Sequence, residues 1–207
     1  MAASGSSVER GVGKERTLAF SDGVFAIAIT LLVLNIEIPA LPDESSEALD
    51  RALDAAVPDI VSYFIGFYVI GKFWLAHHRL FDDLDELDGR LMNANLLFLA
   101  MIALLPFPTG MLGEHAELTT GVVAFAAAVS LAGFAETLLL VLAHRKGMLG
   151  SRRHGPWRAE LYEALSTPAV FLASIPIAFA SPDGAKYFWL VLIAVRVGGA
   201  RLGLRSG

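Results

Sequence analysis

The sequence contains no cysteine, which excludes a disulfide framework, a thiolate nucleophile and any zinc or iron–sulfur site built on Cys ligands. Charge is also scarce. Charged residues make up 18% of the 207 and hydrophobic residues 55%, where a soluble domain carries about 25% and about 45–50%. So little charge cannot cover a water-facing surface, so much of this surface faces lipid. The chain lacks a glycine-rich phosphate loop, a G-x-S-x-G nucleophile turn, an H-E-x-x-H zinc site and a TVGYG carbonyl filter. No enzyme activity and no cofactor are expected. The net charge of −5 argues against nucleic acid as a partner.

What remains is long apolar runs. A helix crossing a bilayer needs about 20 mainly apolar residues, and six stretches qualify: Leu18–Ile38, Val57–Ala76, Leu91–Leu112, Thr119–Ala143, Leu161–Ala180 and Tyr187–Leu204. The expected fold is an all-α membrane protein of six transmembrane helices occupying residues 16–207. Residues 1–15 are small, polar and Gly/Ser-rich and are expected to be a disordered cytoplasmic segment without the features of a signal peptide. Between the first two stretches the acidic run PALPDESSEALDRALD can start the second helix with an amphipathic turn ahead of Pro58. The two halves show no inverted or parallel repeat.

Lys and Arg sort by side. With the N-terminus inside, inner segments hold Arg10, Lys14, Arg16, Arg79, Arg90, Arg145, Lys146, Arg152, Arg153, Arg158, Arg201 and Arg205, against only Arg51 and Lys186 outside. The positive-inside rule therefore predicts both termini in the cytoplasm, and a multi-pass protein of the plasma membrane is expected. Asp43, Glu44, Glu47, Asp50, Asp54, Asp59, Glu114, Glu117 and Asp183 gather on the outer side, where they concentrate cations.

The first stretch opens Arg16-Thr-Leu-Ala-Phe20-Ser21-Asp22. Asp22 already lies within the apolar run, where a carboxylate is costly without a partner or a wet cavity. It serves either as an interfacial helix start or as part of a site. Ile27, Leu31 and Leu34 follow i, i+4, i+7 spacing on one helical face, with Thr30 beside them. Such a stripe is more often packing than pore. Ala19, Gly23 and Ala26 form a small-residue face next to it that permits close helix approach.

At these residues the sequence resembles bacterial members of the transmembrane protein 175 family of potassium-permeable channels. Their Arg-x-x-x-Phe-Ser-Asp hallmark is matched by Arg16, Phe20, Ser21 and Asp22, and the similarity continues through FAIAITLLVL and Pro39, through Trp74, His77 and His78, and through NANLLFLAMIALLPFPT from Asn93 to Thr109. The resemblance covers about the first half in detail, and the remaining spans match in number and length. It implies a homotetramer of six-helix subunits with the first helix lining a central pathway for K⁺ and, to a lesser degree, other monovalent cations. Ile27, Leu31 and Leu34 would form the hydrophobic constriction or gate, and Thr30 a polar layer contributing to selectivity. Arg16, Phe20, Ser21 and Asp22 would form the base of the pore helix, with Trp74, His77, His78 and Asn93 as partners and Asn95 also within reach. His77 and His78 point about 100° apart on a helix, so they do not form an i, i+4 metal pair.

Two other classes stay open at the level of residues. A secondary transporter would depend on a titratable group near mid-membrane, such as Glu136, and would show saturable coupled flux. A membrane scaffold would show no flux and would act through the basic segment Arg145–Arg158.

Overall fold

The computed structural model describes residues 3–150 and 156–192. Within them the chain is all helical: α1 Ala3–Leu31, followed by a 3₁₀ turn Leu32–Asn35, then α2 Ser46–Asp82, α3 Gly89–Leu104, α4 Pro106–Glu114, α5 Thr119–Arg145, α6 Trp157–Ala180 and α7 Pro182–Phe188. Among the described residues five helical stretches are long and apolar enough to span a membrane. α3 and α4 together form the third, Gly89–Glu114. The chain is an all-α, multi-pass membrane protein. Most of the sixth expected stretch, Tyr187–Leu204, lies outside the described residues.

The N-terminus departs from expectation. α1 starts at Ala3, so residues 3–15 are helical rather than without structure. Once the apolar stretch has nucleated a helix, each residue added upstream brings a backbone hydrogen bond at little cost. α2 likewise begins well before Val57. Ser45 caps it, its hydroxyl accepting from the Ala48 amide at 3.1 Å, and the helix continues through Pro58. At about 1.5 Å per residue its 37 residues exceed the hydrocarbon thickness of roughly 30 Å.

The core joins Phe25 of α1, Ile70 and Phe81 of α2, Phe98 and Ile102 of α3, and Phe125 and Leu139 of α5, all nearly inaccessible. α5 and α6 pack closely because the Pro168 ring lies against Gly133. A Cβ at that glycine would sit 2.8 Å from Pro168 Cδ. Pro168 also lacks the N–H that would satisfy the Ala164 carbonyl one turn back. Thr137 Oγ1 supplies a donor to that carbonyl at 3.4 Å while bonding Gly133 O at 2.8 Å, which is how a spanning helix tolerates an internal proline. Gly133→Val is therefore expected to cost about 1–3 kcal/mol by overpacking, read as a lowered thermal midpoint in detergent. Gly71→Ala, with nothing within 4 Å of the new carbon, should leave the midpoint at or above that of the parent.

At the end of the bundle where α2 and α5 finish, the helix ends are tied together. Lys14 donates to the carbonyls of Leu84 at 2.7 Å and Asp82 at 3.3 Å, placing an ammonium at the negative end of α2. The loop after α2 pairs with the loop after α5 through Asp85 N to Met148 O at 2.9 Å and Gly150 N to Asp83 O at 2.7 Å. Asp88 caps α3, accepting from Leu91 N at 2.8 Å, and forms an ion pair with Lys146. The hydrogen bond from Lys146 holds the Asp88 carboxyl below the ordinary carboxylate range. A depressed value means that the contribution is complete above the ordinary pKa and disappears as pH falls through the lower folded value. Hydrogen exchange at the Leu91 amide should stay slow down to about pH 4 and accelerate only below it. Acceleration already at roughly pH 5–6 would contradict this.

Candidate functional site

α1 has two unlike faces. One is buried: Ser21 and Leu32 are fully enclosed, and Phe25 and Ala28 are 1% exposed. The other is open: Phe20 is 55% exposed, Ile27 61%, Leu31 42% and Leu34 69%, with Thr30, Gly23 and Arg16 also exposed. The expected stripe Ile27, Leu31 and Leu34 is therefore the face that this chain leaves uncovered. Because Leu32–Asn35 wind as a 3₁₀ turn, three residues complete a full turn and Leu34 comes directly above Leu31. By rise alone the three side chains lie about 6 Å apart along the helix. The Thr30 hydroxyl donates to Ile27 O at 2.9 Å, leaving its oxygen lone pairs outward.

The buried face is fixed by polar contacts that begin at the motif. Asn95 Oδ1 accepts from His77 Nε2 at 2.9 Å; an amide oxygen only accepts, so the ring carries its proton on Nε2. Asn95 Nδ2 then donates to Ser21 Oγ at 3.1 Å, and the Ser21 hydroxyl donates to Thr17 O at 2.9 Å. Donors and acceptors alternate without conflict from α2 through α3 to α1. The His77 ring stacks on Phe81, with centroids 4.2 Å apart, and touches Phe25 and Phe98 at 5.6 and 5.7 Å. One helix face farther round, Trp74 Nε1 donates to Asp22 Oδ1 at 2.9 Å, giving the carboxylate the partner that its depth requires.

The structure brings Ser21 and Asp22 together with Trp74 and His77, and leaves other candidates apart. His78 points away from His77, stacking on Trp74 and lying 3.4 Å from Asp82. Asn93 is exposed and makes no contact with the motif among the described residues. Asn95, two residues on and 2% exposed, takes that place. Two residues on a helix differ by about 200°, so only one of the two asparagines can face α1. Arg16 is also exposed and forms no hydrogen bond to α2 or α3 among the described residues, contrary to the expected anchoring role. Asn35 was not anticipated: its Nδ2 donates to the Pro106 carbonyl at 2.8 Å, fastening the C-terminal end of α1 where α3 breaks into α4.

The described molecule is thus a multi-span helical membrane protein built around one fastened helix with an open apolar face. Residues 16–106, which include that helix, match the family described as Endosomal/lysosomal potassium channel TMEM175. A protein named as a potassium channel in Streptomyces collinus is 46% identical over 100 residues, 48% of this chain and 48% of that protein. The human endosomal/lysosomal proton channel TMEM175 is 40% identical over 101 residues, 46% of this chain and 20% of that protein. The match spans about half the length of the bacterial relative. Among solved structures, a lysosomal potassium-selective channel TMEM175 homologue from Chamaesiphon minutus superposes with a TM-score of 0.77 at 25% identity, covering 90% of this chain and 97% of the other. Residues 16–106 therefore match the TMEM175 family model, and the chain has the fold of a TMEM175 homologue.

Proposed function

We propose that the chain is a subunit of a passive K⁺-permeable cation channel in a bacterial plasma membrane, with both termini cytoplasmic. Four copies surround a central pathway lined by α1. The observation that carries this reading is the contrast between the two faces of α1. A helix facing only lipid has no need of a fixed azimuth, yet α1 is held by bonds at Lys14, Ser21, Asp22 and Asn35. What these bonds hold in place is an exposed apolar stripe with one hydroxyl layer.

Four such stripes around an axis stack rings of branched aliphatic side chains. Such a constriction gates by dewetting, and ions pass when it hydrates. Ile27 forms the innermost ring, Leu31 and Leu34 follow outward, and Thr30 offers oxygen to a partly dehydrated cation. Aliphatic rings cannot replace a hydration shell as carbonyl cages do, so K⁺ is favoured over other monovalent cations only modestly. Acidic residues at the outer side raise the local cation concentration.

The test is flux from liposomes holding the purified chain, with K⁺, Na⁺ and proton gradients imposed separately, beside the mass of the assembly in detergent. Non-saturating K⁺ flux exceeding Na⁺ flux from a tetramer is expected. Because the human relative is named a proton channel, the proton arm shows whether H⁺ is the better permeant. Saturable coupled flux that needs Glu136 would favour a transporter, and absence of flux a scaffold.

A further inference from the structure

The outer end of α1 leaves α-helical geometry within the open stripe, and two anchors account for it. Leu32 is fully buried beneath Gly66 of α2, where a Cβ would come within 3.2 Å of Leu32 Cδ2 and 2.7 Å of Thr109 Cγ2. Three residues on, Asn35 donates to the Pro106 carbonyl at 2.8 Å. Its amide rests against Gly110, where a Cβ would lie 3.0 Å from Asn35 Cγ and Oδ1. Both anchors lie on the side covered by α2 and α4. In an α-helix, residues three apart fall about 60° short of eclipsing, whereas in a 3₁₀ turn they eclipse. Holding Leu32 against α2 and Asn35 against α4 on this one side is what the tighter winding achieves. On the opposite side the same winding eclipses Leu31 and Leu34.

We infer that Asn35 is a positioning residue for the outer constriction: its hydrogen bond to Pro106, seated against the bare Gly110, holds the last turn of α1 in the 3₁₀ form that stacks Leu34 over Leu31. The inference rests on the pore reading. Without the bond, the turn is free to rewind as α-helix, which rotates Leu34 by about 60° from the line of Leu31 and shortens the turn's rise by roughly 1.5 Å. Asn35 touches no ion in this arrangement. It acts through Leu34, and Gly110 through Asn35.

The absence of native cysteine permits a direct test. The full chain carrying Leu34→Cys as its sole cysteine is reconstituted in liposomes, and the rate at which a water-soluble cationic methanethiosulfonate blocks K⁺ flux is measured. The measurement is repeated with Asn35→Leu and, separately, with Gly110→Ala, whose added methyl pushes on Asn35 from the other side. Ile27→Cys in the same backgrounds is the reference. Loss of one hydrogen bond shifts a two-state equilibrium by roughly fivefold, so block at Leu34→Cys should slow about fivefold in both backgrounds. Block at Ile27→Cys should keep its rate, and the K⁺/Na⁺ reversal potential should move. An unchanged ratio of the two block rates in either background overturns the positioning role and leaves the pore reading standing. A conducting chain that neither cysteine can block overturns the pore reading and this inference with it.

Discussion

Ile27→Asn is expected to raise K⁺ flux through reconstituted liposomes about tenfold or more. Ile27 is 61% exposed on the open face of α1, and on the proposed pore reading four copies would form an aliphatic ring whose dehydration sets the barrier. A ring of amides supplies donors and acceptors to water and ion alike at the narrowest level. Lowering the barrier by only about 1.4 kcal/mol gives a tenfold increase in rate. Since Ile27 lies exposed on the open face, the substitution should leave the folded subunit unchanged, which the thermal midpoint in detergent checks. Unchanged flux in an intact assembly would remove Ile27 from the barrier. The same substitution at Ala28, on the buried face, should lower stability and leave any residual flux per assembly unaltered.

The second large effect is expected at Asn95. Asn95→Leu removes the acceptor of His77 Nε2–H and the donor to Ser21 at once, orphaning a buried N–H at a cost of about 1–3 kcal/mol. The thermal midpoint should fall, and K⁺ flux should fall with it as α1 loses its register against α3. The partner in this network is an aromatic ring among aromatic rings, so Asn95→Leu combined with His77→Phe replaces both polar groups by apolar ones. That double variant should recover most of the lost stability, because removing both partners of a buried bond is far less costly than removing one. Asn93→Leu, at an exposed position, should stay within about ±0.5 kcal/mol of the parent. Equal losses at Asn93 and Asn95 would show that the network is not what fixes the helix.

Much of this architecture was legible because the bilayer sets element lengths directly. Runs of about 20 apolar residues located the spans among the described residues. The face of α1 that stays open was also legible, since Ile27, Leu31 and Leu34 fall on one face at 3.6 residues per turn. What sequence could not supply was the choice among equivalent polar groups. Asn93 and Asn95 are the same residue type in one motif, and only the rotation of α3 against α1 selects Asn95. Arg16 belongs to the hallmark yet faces away from α2 and α3. Asn35 carried no signal at all, because its partner is a backbone carbonyl and its seat is the missing side chain of Gly110. In the N-terminal segment Gly and Ser weigh against helix residue by residue, while extension of an existing helix depends on the turn already formed.

The central claim, that α1 presents its open face to the ion pathway, is tested most directly by single cysteines along α1 in a chain that has none of its own. K⁺ flux from liposomes is followed during treatment with a water-soluble thiol reagent, with cysteine at position 27, 28, 31, 32 or 34. Block is expected at Ile27→Cys, Leu31→Cys and Leu34→Cys, and none at Ala28→Cys or Leu32→Cys, which lie on the enclosed face. Block without this helical pattern, or conduction untouched by modification at all three open positions, would contradict that claim.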